Sequence, residues 1–266
     1  MTSNTLSIKN LNISLNTLSK KQNIVEDFSL TLHAGKVTAL VGASGSGKTM
    51  ASLGILGTLP SNLSASYTNL SFNGNPIHPE NLRGKIVASI LQNPRSAFNP
   101  LRNMHYHAIE TLKALDKWDE TAEIKICKAL YAAGLENAEE ILTSYAFELS
   151  GGQLQRIMIA LALLSETSFL IADEPTSELD LIIQSQILQT LKKLTEKHGL
   201  GILLITHDLS VVAALADDVV ILEKGKIVEQ TDVLTLFKQP QAKVTKHLLK
   251  AHLSLYGLTL DDEKTP

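Results

Sequence analysis

Along residues 6–32 apolar and polar positions alternate, with Leu6, Ile8, Leu11 and Ile13 followed by Phe28, Leu30 and Leu32. A period of two marks half-buried strands, so this stretch predicts an antiparallel β region. After a turn at Ala34-Gly35, the run Val37–Val41 is apolar throughout and leads into a glycine-rich loop, with a helix expected from Lys48 to Leu56. Asn73-Gly74 marks a turn between a strand ending near Phe72 and another at Ile86–Leu91. From about Asn103 to Leu164 the period becomes helical, broken at Gly134 and again at Leu149–Gly152, which predicts an inserted helical subdomain. Apolar strands at Phe169–Ala172, Ile202–Ile205 and Val219–Leu222 then alternate with helices near 181–197 and 209–216. That rhythm belongs to a parallel, doubly wound α/β sheet. A last helix with a polar end is expected from about Gln239.

Composition narrows the class. Of 266 residues 44% are hydrophobic and 19% charged, which excludes a disordered chain and leaves ample material for a core. A formal net charge of −3 and no basic stripe argue against a protein that binds nucleic acid by neutralising phosphates, so no nucleic-acid partner is expected. The single cysteine, Cys127, can form neither an intrachain disulfide nor a cysteine metal site, and is expected in a helical core of a protein from a reducing compartment. No apolar run approaches the roughly 20 residues that span a bilayer, and the first ten residues lack a basic stretch followed by an apolar one. The expectation is a cytoplasmic protein that, if it works at a membrane, lies on its surface.

Three motifs carry chemistry. Gly42-Ala43-Ser44-Gly45-Ser46-Gly47-Lys48-Thr49 fits G-x-x-x-x-G-K-[ST] between a strand and a helix. Its glycines let backbone N–H groups turn towards phosphates, Lys48 reaches the β and γ phosphates, and the Thr49 hydroxyl suits Mg²⁺. The strand Phe169–Ala172 ends in Asp173 and Glu174, one carboxylate for the Mg²⁺ shell and one to polarise an attacking water. Ser150-Gly151-Gly152-Gln153, after Leu149, opens a helix and offers a second anion-binding N-terminus, which implies a shared site. Met104-His105-Tyr106-His107 resembles a metal motif only superficially, because positions i and i+2 of a helix do not share a face.

In this combination the sequence resembles the ATP-binding subunits of ABC transporters, over residues 6–257. The resemblance implies an ABC-type P-loop NTPase with a mixed sheet, an antiparallel β subdomain and a helical subdomain inserted at about 93–165. It implies a nucleotide-binding domain over 1–238 and a helical extension over 239–266. Gln92 is similar to the family's Q-loop glutamine near Mg²⁺, residues 177–180 to its D-loop, and His207 to the switch histidine on the γ-phosphate. Ser150–Gln153 would close over ATP held by a partner's phosphate loop. Within the family, residues 92–101 and 243–248 look like the nickel and oligopeptide importer group. The expected cofactors are ATP and Mg²⁺. The expected partners are a homologous second ATP-binding subunit forming a heterodimer, two membrane permease subunits, and an extracytoplasmic nickel-binding protein acting through them. The site would lie on the cytoplasmic face of the inner membrane, and import of di- or oligopeptides is the alternative cargo. A kinase with the same phosphate loop would have no use for Leu149–Gln153. Two positions depart from the family pattern: Leu15 stands where an aromatic often stacks on adenine, and Glu178 where the D-loop usually has a small residue.

Overall fold

The computed structural model describes residues 4–16, 21–177 and 179–255. The alternating segment forms two long antiparallel strands, β1 (Thr5–Asn16) and β2 (Lys21–His33), in register from Thr5 opposite His33. The inward positions change parity between Ile8 and Leu11, and the structure shows why: the register shifts there, at Asn10 with a left-handed φ of 52°. This is a bulge, and the Asn10 side chain donates to Asp27, itself left-handed, on the neighbouring strand. The short strand β3 (Val37–Val41) leads into the glycine loop and α1 (Lys48–Leu56), whose bounds match the expected helix and which ends at left-handed Gly57. The strands β4 (Leu63–Ser66) and β5 (Asn69–Phe72) both pair with β1, and β6 (Asn75–Pro76) pairs with β5, completing a five-stranded antiparallel sheet. A one-turn helix α2 (Pro79–Leu82) precedes β7 (Val87–Ile90).

Helices then run consecutively between β7 and the next strand: α3 (Met104–Ala114), α4 (Ala122–Ala132), α5 (Ala138–Thr143) and α6 (Gly151–Leu164). After them come β8 (Phe169–Asp173), α7 (Leu181–His198), β9 (Gly201–Thr206), α8 (Leu209–Leu215) and β10 (Asp218–Glu223). The chain continues through β11 (Lys226–Asp232), α9 (Val233–Lys238) and α10 (Lys243–Leu255). The six-stranded sheet has the order β11-β10-β3-β9-β8-β7. The sheet is mixed, as the family resemblance implies: β10, β3, β9, β8 and β7 run parallel and β11 is antiparallel to β10. A polar sequence and an edge position hide this strand from a search for apolar runs.

Burial on both faces explains why the central strands read as continuous apolar runs. Val37, Ala39 and Val41 of β3 face the helices, with Leu170 and Ala172 of β8 and Ile202 and Leu204 of β9. Leu40, Phe169, Ile171, Leu203 and Ile205 face the antiparallel sheet and pack with Leu11, Ile13 and Phe28. Cys127 is half-buried on the helical side, packed against that core as expected. Among the described residues no helix is long and apolar enough to cross a membrane.

The C-terminal helix is fastened by a buried carboxylate. Glu229 on β11 accepts from Gln241 N (2.8 Å) through Oε1, and from Ala242 N (2.9 Å) and Thr245 Oγ1 (2.5 Å) through Oε2. A negative charge at the start of α10 satisfies amides that have no partner within the helix and favours the helix dipole. The fully buried Leu249 adds an apolar anchor one turn on. Glu229→Ala is expected to lower stability by about 1–3 kcal/mol, since it strands buried donors. Amide exchange in residues 243–255 should accelerate. Unchanged protection there would mean that Leu249 alone holds the helix.

Candidate functional site

Four strands of the larger sheet, β3, β9, β8 and β7, are mutually parallel, so their C-terminal ends open at one edge. Each delivers a motif there. β3 ends in the Gly42–Thr49 loop, β9 in Thr206-His207, β8 in Asp173-Glu174, and Gln92 follows β7 by two residues. In such sheets the crevice outside these ends is where ligands bind.

The loop is shaped for an anion. A Cβ at Gly42 would lie 2.3 Å from Leu222 O, so only glycine permits the loop to pass this close to β10. Gly45 and Gly47 are left-handed, with φ of 77° and 105°. Lys48, buried at the first position of α1, donates from Nζ to Gly42 O (2.8 Å) and Ala43 O (3.1 Å) and so sits across the loop. Ser46 Oγ is buried without a hydrogen-bond partner, and a phosphate oxygen would supply one. Burial pulls the Lys48 ammonium below the usual lysine range, opposed by the charges of Glu174 and Asp173. A desolvated cation beside the amino end of a helix attracts negative charge strongly.

Asp173 is buried beside Thr49. Burial pushes its carboxyl above the usual carboxylate range, the hydrogen bond with Thr49 opposes this, Glu174 reinforces it, and Lys48 opposes it. Two adjacent oxygen donors, one a carboxylate, next to a phosphate loop form a donor set that fits Mg²⁺. Glu174 turns away from the strand in a left-handed conformation with φ of 45°, unusual for a residue with a side chain. Three bonds hold it: its N–H donates to Ile205 O (2.8 Å), and its carbonyl accepts from Ser177 N (3.1 Å) and Ser177 Oγ (2.9 Å). The carboxylate is thereby aimed between two neighbouring loops. Gln92 Nε2 donates to Oε2 (3.0 Å), and His207 Nδ1 lies 3.0 Å from Oε1. The imidazole is the exposed partner, at 63%, against 16% for the carboxylate. With Nδ1 held by Glu174, Nε2 of His207 is the free ring nitrogen.

Ser150–Gln153 is not brought into this cluster: among the described residues no hydrogen bond joins it to the phosphate loop. It starts α6 as a reciprocal cap, with Ser150 N donating to Gln153 Oε1 (2.9 Å) and Gln153 N to Ser150 Oγ (3.2 Å). Gly152 is required by packing, since a Cβ would meet Ile183 at 2.7 Å. His105 and His107 lie in α3 and diverge, one bonded to Glu123 Oε1 (2.8 Å), the other edge-on to Phe98. Leu15 is half-buried opposite Leu63, and Glu178 lies outside the described residues. Arg156 makes a helix-to-helix contact that the motifs alone do not reveal. It donates to Ala133 O (3.0 Å) and Gln186 Oε1 (2.7 Å), tying α6 to the end of α4 and to α7. Its position six residues beyond Ser150 on the same helix was the available signal.

The Asp173 environment has a measurable consequence. Its folded-state pKa lies above the unfolded one, so the stability it contributes is present below the unfolded value and is lost as pH rises through the folded value. At neutral pH the ionised group is a burden on the nucleotide-free fold. Asp173→Asn should therefore raise Tm at pH 7 by about 2–4 °C without nucleotide. The gain should shrink as the pH is lowered into the acid range. A lower Tm for the variant at pH 7 would show that the charge of Asp173 stabilises the fold.

Comparison with known proteins places this geometry. The family model described as ABC transporter matches residues 25–177. The Nickel import ATP-binding protein NikD of Brucella abortus is 49% identical over 261 residues, 98% of this chain and 100% of that protein. The protein of the same name from Rhodospirillum rubrum is 48% identical over 235 residues, 88% of this chain and 90% of its own. Among solved structures, cbiO1 from Clostridium perfringens, part of the ABC transporter complex cbiONQ, superposes with a TM-score of 0.74 at 24% identity, covering 95% of this chain and 96% of that one. A dimeric ATP-binding cassette in a post-hydrolysis state with ADP and Pi gives 0.71 at 24% identity, covering 86% and 98%. These two share the fold. A family match over more than half of the chain, with relatives nearly half identical along almost all of it, makes this chain a member of the ABC transporter family, as one of its ATP-binding cassettes.

Proposed function

We propose that the chain is the ATP-hydrolysing motor of an importer that carries nickel across the cytoplasmic membrane, working on its inner face. The observation that carries the catalytic part is the meeting of Gln92, Glu174 and His207 beside the phosphate loop. The cargo rests on relatives named for nickel import that are 49% identical over 98% of the chain. In this reading residues 1–238 form the nucleotide-binding domain, 93–165 its helical subdomain and 239–266 an extension. A homologous second cassette would bind head to tail, so that Ser150–Gln153 closes over the ATP of that partner while the partner's signature completes the site built here. Two permease subunits would take up the motion of the helical subdomain and receive nickel from an extracytoplasmic binding protein.

The chemistry follows from the side chains. The loop 42–49 wraps the phosphates with backbone N–H groups, and Lys48 leaves its two loop carbonyls to offset charge on the β and γ phosphates. Thr49, Asp173 and Gln92 would hold Mg²⁺, which would supply positive charge against the negative charge of the phosphates. Glu174 polarises the attacking water. Both of its oxygens are engaged by Gln92 and His207, so taking up a water requires that at least one of them let go. His207, anchored through Nδ1, presents Nε2 to the γ-phosphate, where it steadies the group as it transfers.

Lys48→Ala is expected to weaken ATP binding and stop turnover in the assembled complex. Wild-type turnover would overturn the role given to the loop. Glu174→Gln should bind ATP and trap the closed pair of cassettes while hydrolysis falls by about 10²–10⁴-fold. Hydrolysis at the wild-type rate would place the base elsewhere. Uptake of radioactive nickel by cells carrying the whole transporter tests the cargo. Uptake should vanish with Glu174→Gln and resist competition by excess dipeptide. No nickel uptake by the wild-type transporter in cells lacking other nickel importers, or uptake abolished by excess dipeptide, would turn the cargo assignment to peptides.

A further inference from the structure

A cavity of about 410 Å³ lies where α4 and the end of α6 meet β7, β8 and the end of α7. None of the nucleotide-site residues lines it. We propose that it binds a small carboxylate amphiphile, of the class of a medium-chain fatty acid, with the tail inside and the carboxylate at the rim.

The walls are aliphatic: Ala129 from α4, Ile159 and Leu163 from α6, Leu170 from β8 and Leu194 from α7. The one hydroxyl in the lining, that of Thr167, already donates to Phe169 O (3.0 Å), so most of what enters must be apolar. The rim is different. Lys117, Lys125, Lys128 and His198 border the cavity, against a single carboxylate, Glu166. Two of the lysines are already occupied. Lys117 Nζ bonds to Glu166 Oε2 (2.7 Å) and Ser165 O (2.7 Å), and Lys125 Nζ to Asp119 Oδ2 (2.6 Å). Lys128, exposed on α4 one turn beyond Lys125, has no ion pair or hydrogen bond among the described residues. An apolar chamber with one unspent cation at its mouth is complementary to an aliphatic tail carrying one negative charge. Inorganic phosphate would answer only the rim, and an alcohol of equal length only the walls. A tail of about eight to ten carbons suits a chamber near the small end of ligand cavities. Bound there, it would touch two of the helices inserted between β7 and β8 as well as the sheet itself.

Calorimetric titration of the full-length protein, held with saturating MgADP to fill the phosphate loop, tests the proposal. The probes are decanoate, decanol and decylammonium below their micellar concentrations. Decanoate should bind saturably with one site and more tightly than either other probe. Lys128→Glu, an exposed change, should weaken decanoate by about five- to tenfold and reverse the preference towards decylammonium. Ala132→Phe, at the exposed edge of the cavity, should weaken all three probes by narrowing the mouth. Melting curves check that both variants are folded. No saturable decanoate binding, equal affinity for decanol, or wild-type binding by Lys128→Glu would each overturn the assignment.

Discussion

The parallel alignment of β3, β9, β8 and β7 is the constraint on which the rest of the molecule depends. Parallel strands end at a common edge, so residues from four distant parts of the sequence emerge side by side without any loop having to reach for them. Such a sheet must be covered on both faces. The helices between β7 and β8, with α7 and α8, cover one face; the five-stranded antiparallel sheet, with α1 packed beside it, covers the other. The antiparallel sheet thus acts as a cover whose removal would expose the smaller of the two cores, in addition to whatever its own loops contribute.

At that edge, polarity and burial are set against each other. Lys48 and Asp173 are buried charges whose pKa values are displaced towards neutrality, and Glu174 is held in a backbone conformation that side-chain-bearing residues rarely adopt. The surroundings over-determine each of these costs. Ile205 and Ser177 fix the Glu174 turn, and the loop carbonyls satisfy Lys48. An edge held in this way is arranged in advance for a polyanion, whose charge offsets the burial cost that Lys48 bears alone.

Much of this was legible in the sequence because its signals are local. The loop from Gly42 to Thr49, the helix from Lys48 to Leu56 and the apolar strands each announce themselves within a few residues. What escaped was short, polar or long-range. β4, β6, α2 and α9 span two to six residues each, too few for a period to show. β11 is polar on an edge, and the bulge at Asn10, where the inward positions change parity, has no marker in the apolar pattern. Gln92 and His207 were recognisable singly, yet their common bond to Glu174 joins positions 82 and 33 residues away, and no local pattern encodes that.

The alternation within the central strands has a consequence for how such a chain can change over generations. Val37, Ala39 and Val41 serve one core while Leu40 serves the other, and Phe169 and Ile171 are likewise divided from Leu170 and Ala172. Gaining or losing one residue inside β3 or β8 would exchange the two sets, sending the Phe169 ring into space shaped for smaller neighbours and displacing the motif at the strand's end at the same time. Substitutions that keep volume can accumulate in these strands, whereas length is frozen. Growth and shrinkage of the gene are thereby confined to connections away from the ligand-bearing edge, and the reading frame of the sheet is inherited as a unit.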